Sequence, residues 1–337
     1  VMLTRRWSYT APRLRLGEHD IALSSEIRYL GVRLDGKMTF VDHVRKAGKK
    51  ALASATALSR VMPNIKGPGQ WKRRLLASVV ESQLLYAAPV WADTVAASAR
   101  SVRLLVRPQR AIALRVIRAY RTVSDEAALV LAYMPPANLL AEERARVKAR
   151  RRQPPAPDVP PTSLEKIKSL ERKTTLDIWQ RSWAFSRKGQ WTRRLIPDVR
   201  RWHDKLLPKV PTTYRVTQAM TGHGCFQYYL NRMGRAGSAV CVQCGSAIDT
   251  VEHTLLKCAY WEPYRVALAD RLGHRLTVED MSSIILGPSE DEVPEDQPER
   301  GEALEFALES LRMLYKFIEE ILSIKEEEER ARQNGQA

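Results

Sequence analysis

The sequence is poor in cysteine and in long apolar runs. Four Cys, three of them between residues 241 and 258, are too few for a disulfide framework and point to a reducing compartment. No stretch approaches the roughly 18 apolar residues of a membrane span, and the opening VMLTRRWSYT lacks the apolar core of a signal peptide, so a soluble intracellular protein with no membrane partner is expected. The chain opens on Val1 instead of Met and reads as a piece of a longer frame. Signatures of catalysis are missing too: no phosphate-cradling loop, no dinucleotide-type glycine turn, no H-E-x-x-H and no G-x-S-x-G. No two Asp are adjacent, so the clustered carboxylates of a two-metal polymerase or nuclease are not in sight.

Acidic residues are also scarce over most of the chain. From Glu279 onward there are 17 Asp+Glu against 6 Lys+Arg, which leaves 49 basic and 21 acidic residues in 1–278. The overall charge of +17 therefore hides a strongly basic body and an acidic tail. A surplus of that size is the footprint of a protein that neutralises phosphates and releases counterions.

With 44% hydrophobic residues in 337, the chain has material for real cores. The periodicity is mostly helical. IRYLGVRLDGKMTF (27–40) alternates and carries Asp35-Gly36, which predicts a β-hairpin turning at that pair. Helices follow, one with Val44, Ala47, Ala51, Ala55, Leu58 and Met62 on one face, and one opened by Pro68. A third, from Pro108 to about Tyr120, would place Arg115, Arg118 and Arg121 on one face as a basic stripe, and these with Arg73 and Arg74 of the helix before are candidate contacts to a phosphate backbone. Ser124 is positioned to cap a short helix, and a final helix ends in the basic RVKARRR. QPPAPDVPP (153–161), with five Pro, reads as an extended spacer.

Beyond the spacer a capping-box pattern at Thr162 and Glu165 predicts an amphipathic helix. KGQWTRRLIPDVRRW then interleaves Trp191 and Trp202 with Arg193, Arg194, Arg200 and Arg201. Arginine among aromatics suits backbone binding and base stacking, but the Trp spacing equally fits a core face, which is the favoured reading. Thr277 and Asp280 start another helix, and a long helix from Ala303 to about Arg330 has Leu304, Leu308, Leu311, Tyr315, Ile318 and Leu322 on its apolar face.

CVQCGSAIDTVEHTLLKC presents Cys241, Cys244, His253 and Cys258 at C-x2-C-x8-H-x4-C. Structural zinc asks for four tetrahedral N/S ligands, a Cys pair two residues apart forming one corner. Gly245 permits the turn around the thiolates, and the His-to-Cys gap is one helical turn. All four positions come from protein, so a structural Zn2+ is expected and a catalytic metal is not. His223 and Cys225 lie close enough in sequence to substitute, though a histidine between glycines in a turn is the preferred reading.

Several segments together, including IRYLGVRLDGKMTFVDHV, LSRVMPNIKGPGQWKRRLLASVVESQLLYAAPVWA, QRAIALRVIRAYRTVSDEAALVLAYMPP, WTRRLIPDV, TQAMTGHGCFQYYL and the Cys/His stretch, resemble in that order the C-terminal part of the reverse-transcriptase polyprotein of arthropod non-LTR (LINE-like) retrotransposons. The resemblance runs from about Leu3 to Arg265 and does not reach the acidic tail. It implies a mainly α fold with 1–40 as the end of a polymerase palm, carrying a primer-grip-like hairpin at Tyr29, Leu30 and Gly31, 41–152 as a helical thumb-like domain, and 162–278 as a basic helical domain with a zinc knuckle at 241–258; the Pro-rich linker 153–161 and the acidic loop and helix 279–337 are read from composition and period alone. Further implied are RNA and DNA as partners in target-primed reverse transcription, the rest of the polyprotein, and a nuclear place of action after cytoplasmic transit. Mg2+ would belong only to the polymerase active site upstream of Val1, so no catalysis is expected from these residues alone. An alternative is a host protein made from such an element, using the face Leu304–Leu322 as a seam for a protein partner.

Overall fold

The computed structural model describes all residues except 5, 7, 9, 11, 154–161, 336 and 337. The fold is mainly helical. Two short antiparallel hairpins open it, β1 (Leu14–Leu16) with β2 (His19–Ile21) and β3 (Glu26–Tyr29) with β4 (Val32–Asp35). Helices follow in the order α1 (Val41–Ser59), α2 (Gln70–Leu84), α3 (Ala88–Ala96), α4 (Ala99–Val116), α5 (Asp125–Leu131), α6 (Ala137–Arg152) and α7 (Leu164–Ala184). Then come α8 (Gln190–Leu195), α9 (Val199–Asp204), α10 (Tyr214–Thr221), α11 (Gln227–Arg232), α12 (Glu262–Leu272), α13 (Val278–Leu286) and α14 (Gln297–Gly335). The Pro-rich spacer expected at 153–161 lies, apart from Gln153, outside the described residues.

The chain forms two compact units that interleave in sequence. Unit 1 gathers Val1–Val61, Leu75–Ile112 and Pro135–Thr175, and unit 2 gathers Met62–Arg74, Ala113–Met134 and Leu176–Ala337.

In unit 1 the second hairpin turns at Leu30-Gly31, not at Asp35-Gly36. Both residues have positive φ (45° and 83°), the signature of the two-residue turn whose twist matches antiparallel strands. The turn is supported from one side, since the Tyr86 hydroxyl donates to the Leu30 carbonyl at 2.9 Å and its ring would lie 3.0 Å from a Cβ on Gly31. Asp35 instead ends the hairpin: its carboxylate accepts the N–H groups of Lys37 (3.2 Å), Thr39 (3.0 Å) and Phe40 (2.8 Å) as the chain enters α1. These bonds outweigh the effect of burial and hold its pKa below the usual value.

Of the face its spacing predicts, α1 buries Val44, Ala51 and Ala55, while Ala47 and Leu58 are half-buried and Gly48 is buried beside them. Pro108, expected to begin a helix, sits inside α4. A proline there has no N–H for the carbonyl four residues earlier, that of Leu104. That carbonyl lies 2.7 Å from where a Cβ on Gly48 would be, so the glycine lets α1 close against the freed oxygen. Helix α3 packs along α6, with Ala88, Trp91, Ala92, Leu139 and Leu140 buried.

In unit 2, Ser124 caps α5 by accepting from Ala127 N–H at 3.2 Å, and Thr277 with Asp280 completes a capping box on α13. Trp183, Trp202, Phe226, Leu255, Trp261, Met281 and Ile285 form core. Leu311, Leu314, Tyr315, Ile318, Ile321 and Leu322 of α14 are buried as well, with α14 packed on α10, α12 and α13. From Leu311 onward, the apolar face proposed as a partner seam is thus intramolecular core.

Candidate metal centre and its basic surroundings

Residues 239–249 form a tight knuckle. Cys241 N–H donates to Ala247 O at 2.7 Å, Asp249 N–H to Ala239 O at 2.9 Å and Gly245 N–H to Cys241 O at 2.8 Å, with Gly245 at φ 68°. His253 opens a π-helical turn, His253–Lys257, and Cys258 N–H closes it on His253 O at 2.7 Å. The wider turn carries Cys258 round to the side of His253.

The result is a four-donor cluster. The ligand atoms of Cys241, Cys244, His253 and Cys258 all lie within 4.8 Å of one another, with Cys241 Sγ 3.9 Å from Cys258 Sγ and Cys244 Sγ 3.3 Å from His253 Nε2. A tetrahedron with Zn–S of about 2.3 Å has edges of about 3.8 Å, so the donor set fits a structural zinc ion. Cys241 and Cys258 are buried, and Cys244 is half-exposed. Hydrogen bonds from Ser246, its hydroxyl 3.3 Å from the sulfur, hold the Cys244 thiol down at about 6. Burial pushes Cys258 up to about 12 and Cys241 above the usual thiol value. A cation among them would supply the charge that makes all three thiolates at once, and its binding would release protons.

Neither His223 nor Cys225 belongs to this group. His223 shares its Nδ1 with the Thr221 carbonyl at 2.8 Å and packs edge-on against Tyr229, and Cys225 is buried.

Residues that sequence reasoning passed over hold the knuckle in place. Asp249 and Lys325, both fully buried, pair at 2.8 Å. Asp249 also accepts from Gln227 N–H (2.7 Å) and Thr254 Oγ1 (2.6 Å), while Lys325 Nζ donates to Gln243 Oε1 (3.0 Å). Further carboxylates of α14 reach the knuckle and the helices beside it: Glu328 accepts from Gln243 (2.8 Å) and Tyr260 (3.1 Å), Glu329 from Gln227 of α11 (2.7 Å), and Glu326 from Gln218 (2.6 Å) and Arg215 (3.0 Å) of α10. The acidic tail therefore folds onto the metal module.

The arginines singled out from sequence divide by environment. Arg73 is fully buried and donates to the carbonyls of Pro68 (2.7 Å), Arg115 (2.8 Å), Lys66 (3.0 Å) and Pro63, and burial lowers its pKa to about 10. It ties loop to helix end instead of facing a phosphate. Arg74 donates to Ala132 O at 2.7 Å and lies over the Tyr133 ring. The stripe does not form on one helical face, because α4 ends at Val116: Arg118 has φ 59°, and Ala119 N–H reaches back to Leu114 O at 2.8 Å. Arg115 thus ends the helix, Arg118 occupies its left-handed cap and donates to Pro68 O at 3.2 Å, and exposed Arg121 lies beyond.

Around the tryptophans, core burial prevails at Trp202, whose Nε1 donates to Val130 O at 2.8 Å and whose ring stacks on Tyr133 at 4.6 Å. Trp191 is half-buried, donates to Ala219 O at 2.7 Å and lies under Arg194. Arg194 pairs with Glu252 (2.5 Å), next to His253 of the four-donor cluster, and Arg200 with Asp198 (2.9 Å). Arg201 pairs with Glu292 (2.7 Å), and Arg193 donates to Ser186 O. In unit 1, Tyr29 and Leu30 are exposed at the hairpin tip.

These features define a mainly helical, basic protein with a Cys3His group able to hold a metal ion. The chain is homologous to the Pol polyproteins of R1 non-LTR retrotransposons, and so is of retrotransposon origin. It is 30% identical over 265 residues to the Pol polyprotein of the type-1 element R1 of Bradysia coprophila, an alignment covering 75% of this chain and 26% of that one. It is 28% identical over 275 residues to a putative 115 kDa protein in element R1DM of Drosophila melanogaster (79% and 26%). Against the R1 2 polyprotein of Nasonia vitripennis it is 30% identical over 247 residues (71% and 59%). The chain spans about a quarter of the length of the first two relatives. No family model and no solved structure matches it.

Proposed function

We propose that the chain is a nucleic-acid-binding part of an R1-type reverse transcriptase, holding template RNA and primer or target DNA during target-primed reverse transcription in the nucleus. The observation that carries this reading is homology to retrotransposon polyproteins in a chain with 49 basic against 21 acidic residues over 1–278. Zinc in the Cys241/Cys244/His253/Cys258 cluster acts as a structural ion that holds the knuckle, because four protein donors leave no position for a substrate or a water. Arg115, Arg118, Arg121, Arg194 and Arg200 of unit 2 offer cations to phosphates, and the exposed hairpin tip at Tyr29 and Leu30 of unit 1 serves as the primer-grip-like contact.

The test is salt-dependent binding of an RNA/DNA duplex by the 337-residue chain. Replacing Arg121, Arg194 and Arg200 with Gln should weaken duplex binding and lower the slope of log K against log salt by about 3. An unchanged slope refutes the reading.

A further inference from the structure

The basic end of α6, RVKARRR, has no part in the site above, yet it lines a cleft of about 960 Å³ within unit 1. Helix α6 contributes Arg144, Lys148, Arg151 and Arg152, which the helical period brings to one side. Helix α7 contributes Lys168 and Arg172 from the facing wall.

Six cations therefore line one cleft, and only one acid, Glu143, stands among its lining residues. Glu143 is already used by Arg172 at 2.8 Å, and Arg144 donates to Leu85 O at 2.8 Å. Nearby Glu171, almost fully buried, is used by Arg146 at 2.6 Å and by Arg150. Lys148, Arg151, Arg152 and Lys168 make no ion pair among the described residues. Folding has gathered like charges here, and Arg172 Nε and Glu143 Oε2 are buried without a partner. Such a cleft is stabilised by an anion carrying several charges.

We infer that the α6–α7 cleft is a second nucleic-acid site, which takes the phosphates of a single strand without regard to sequence. Its volume of about 960 Å³ is that of a few nucleotides of a strand. The residues lining it include no aromatic on which a base could stack, so phosphate contact is its chemistry. The nature of the anion rests on the nucleic-acid reading above; the site itself rests on the cleft.

The experiment measures binding of a uridine homopolymer strand to the 337-residue chain and to Lys148→Gln/Arg151→Gln/Lys168→Gln across a salt series. Loss of three contacts should lower the single-strand slope by about 2, on the order of a hundredfold in affinity at 0.1 M salt. Duplex binding should stay within twofold, and an unchanged far-ultraviolet spectrum shows that the variant folds. Unchanged single-strand affinity, or an equal loss for duplex, overturns the inference. The Arg121/Arg194/Arg200 variant separates the two readings: if it loses duplex and keeps the strand, both sites stand, and if it loses neither, the first reading fails alone.

Discussion

The four candidate metal donors lie within 18 residues of sequence, so local geometry alone nearly assembles them. Substituting Cys244 with Ser should abolish stoichiometric zinc in the purified protein, measured by atomic emission, and should lower the thermal midpoint of unit 2. Asp249 and Lys325 are a different case. Each is a fully buried charge whose partner is far away in sequence, and neither carries a motif. Lys325→Met leaves Asp249 charged and unpaired and should cost about 3–5 kcal/mol in urea unfolding. The double variant Asp249→Asn/Lys325→Met should recover much of that loss, because no unpaired buried charge remains.

At the scale of elements, the caps that the sequence predicts at Ser124 and at Thr277 with Asp280 form, because a cap is satisfied within three residues. Replacing Ser124 with Ala should lower stability by about 1 kcal/mol in the same measurement. Hairpin and helix boundaries depend on more distant contacts. Asp35-Gly36 is the commoner turn pair, but the turn falls at Leu30-Gly31, where Tyr86 supports the Leu30 carbonyl. Pro108 reads as a helix start, since its local cost inside a helix is large, yet Gly48 on α1 accommodates the carbonyl it leaves free. Gly48→Ala places a methyl against that carbonyl and should destabilise unit 1 by about 1–3 kcal/mol, read from its urea midpoint.

For the molecule as a whole, the composition showed a basic body and an acidic tail but not how they meet. Glu328 and Lys325 of α14 engage Gln243 and Asp249 of the knuckle, and Glu326 and Glu329 engage Arg215, Gln218 and Gln227 beside it, so the tail packs onto the Cys/His module. Ending the chain at Asp296 would remove Leu311, Leu314, Ile318, Ile321 and Leu322 from the unit 2 core, together with the only cation paired to Asp249 among the described residues. Such a truncation should expose apolar surface, measured as increased dye binding, and should not retain zinc.

The sequence alone carried the helical class, the Cys/His donor set and the charge asymmetry, which rest on local spacing or on composition, and the retrotransposon kinship, which rests on the likeness of whole segments in order. Tertiary structure alone decided which arginines are buried and which face solvent, where the chain turns, and what pairs with the buried Asp249. It also decided that the cations of α6 and α7 share one cleft. The reason is physical: a side chain's charge and period are written in its own segment, but its solvation and its partners are set by whatever segments fold against it.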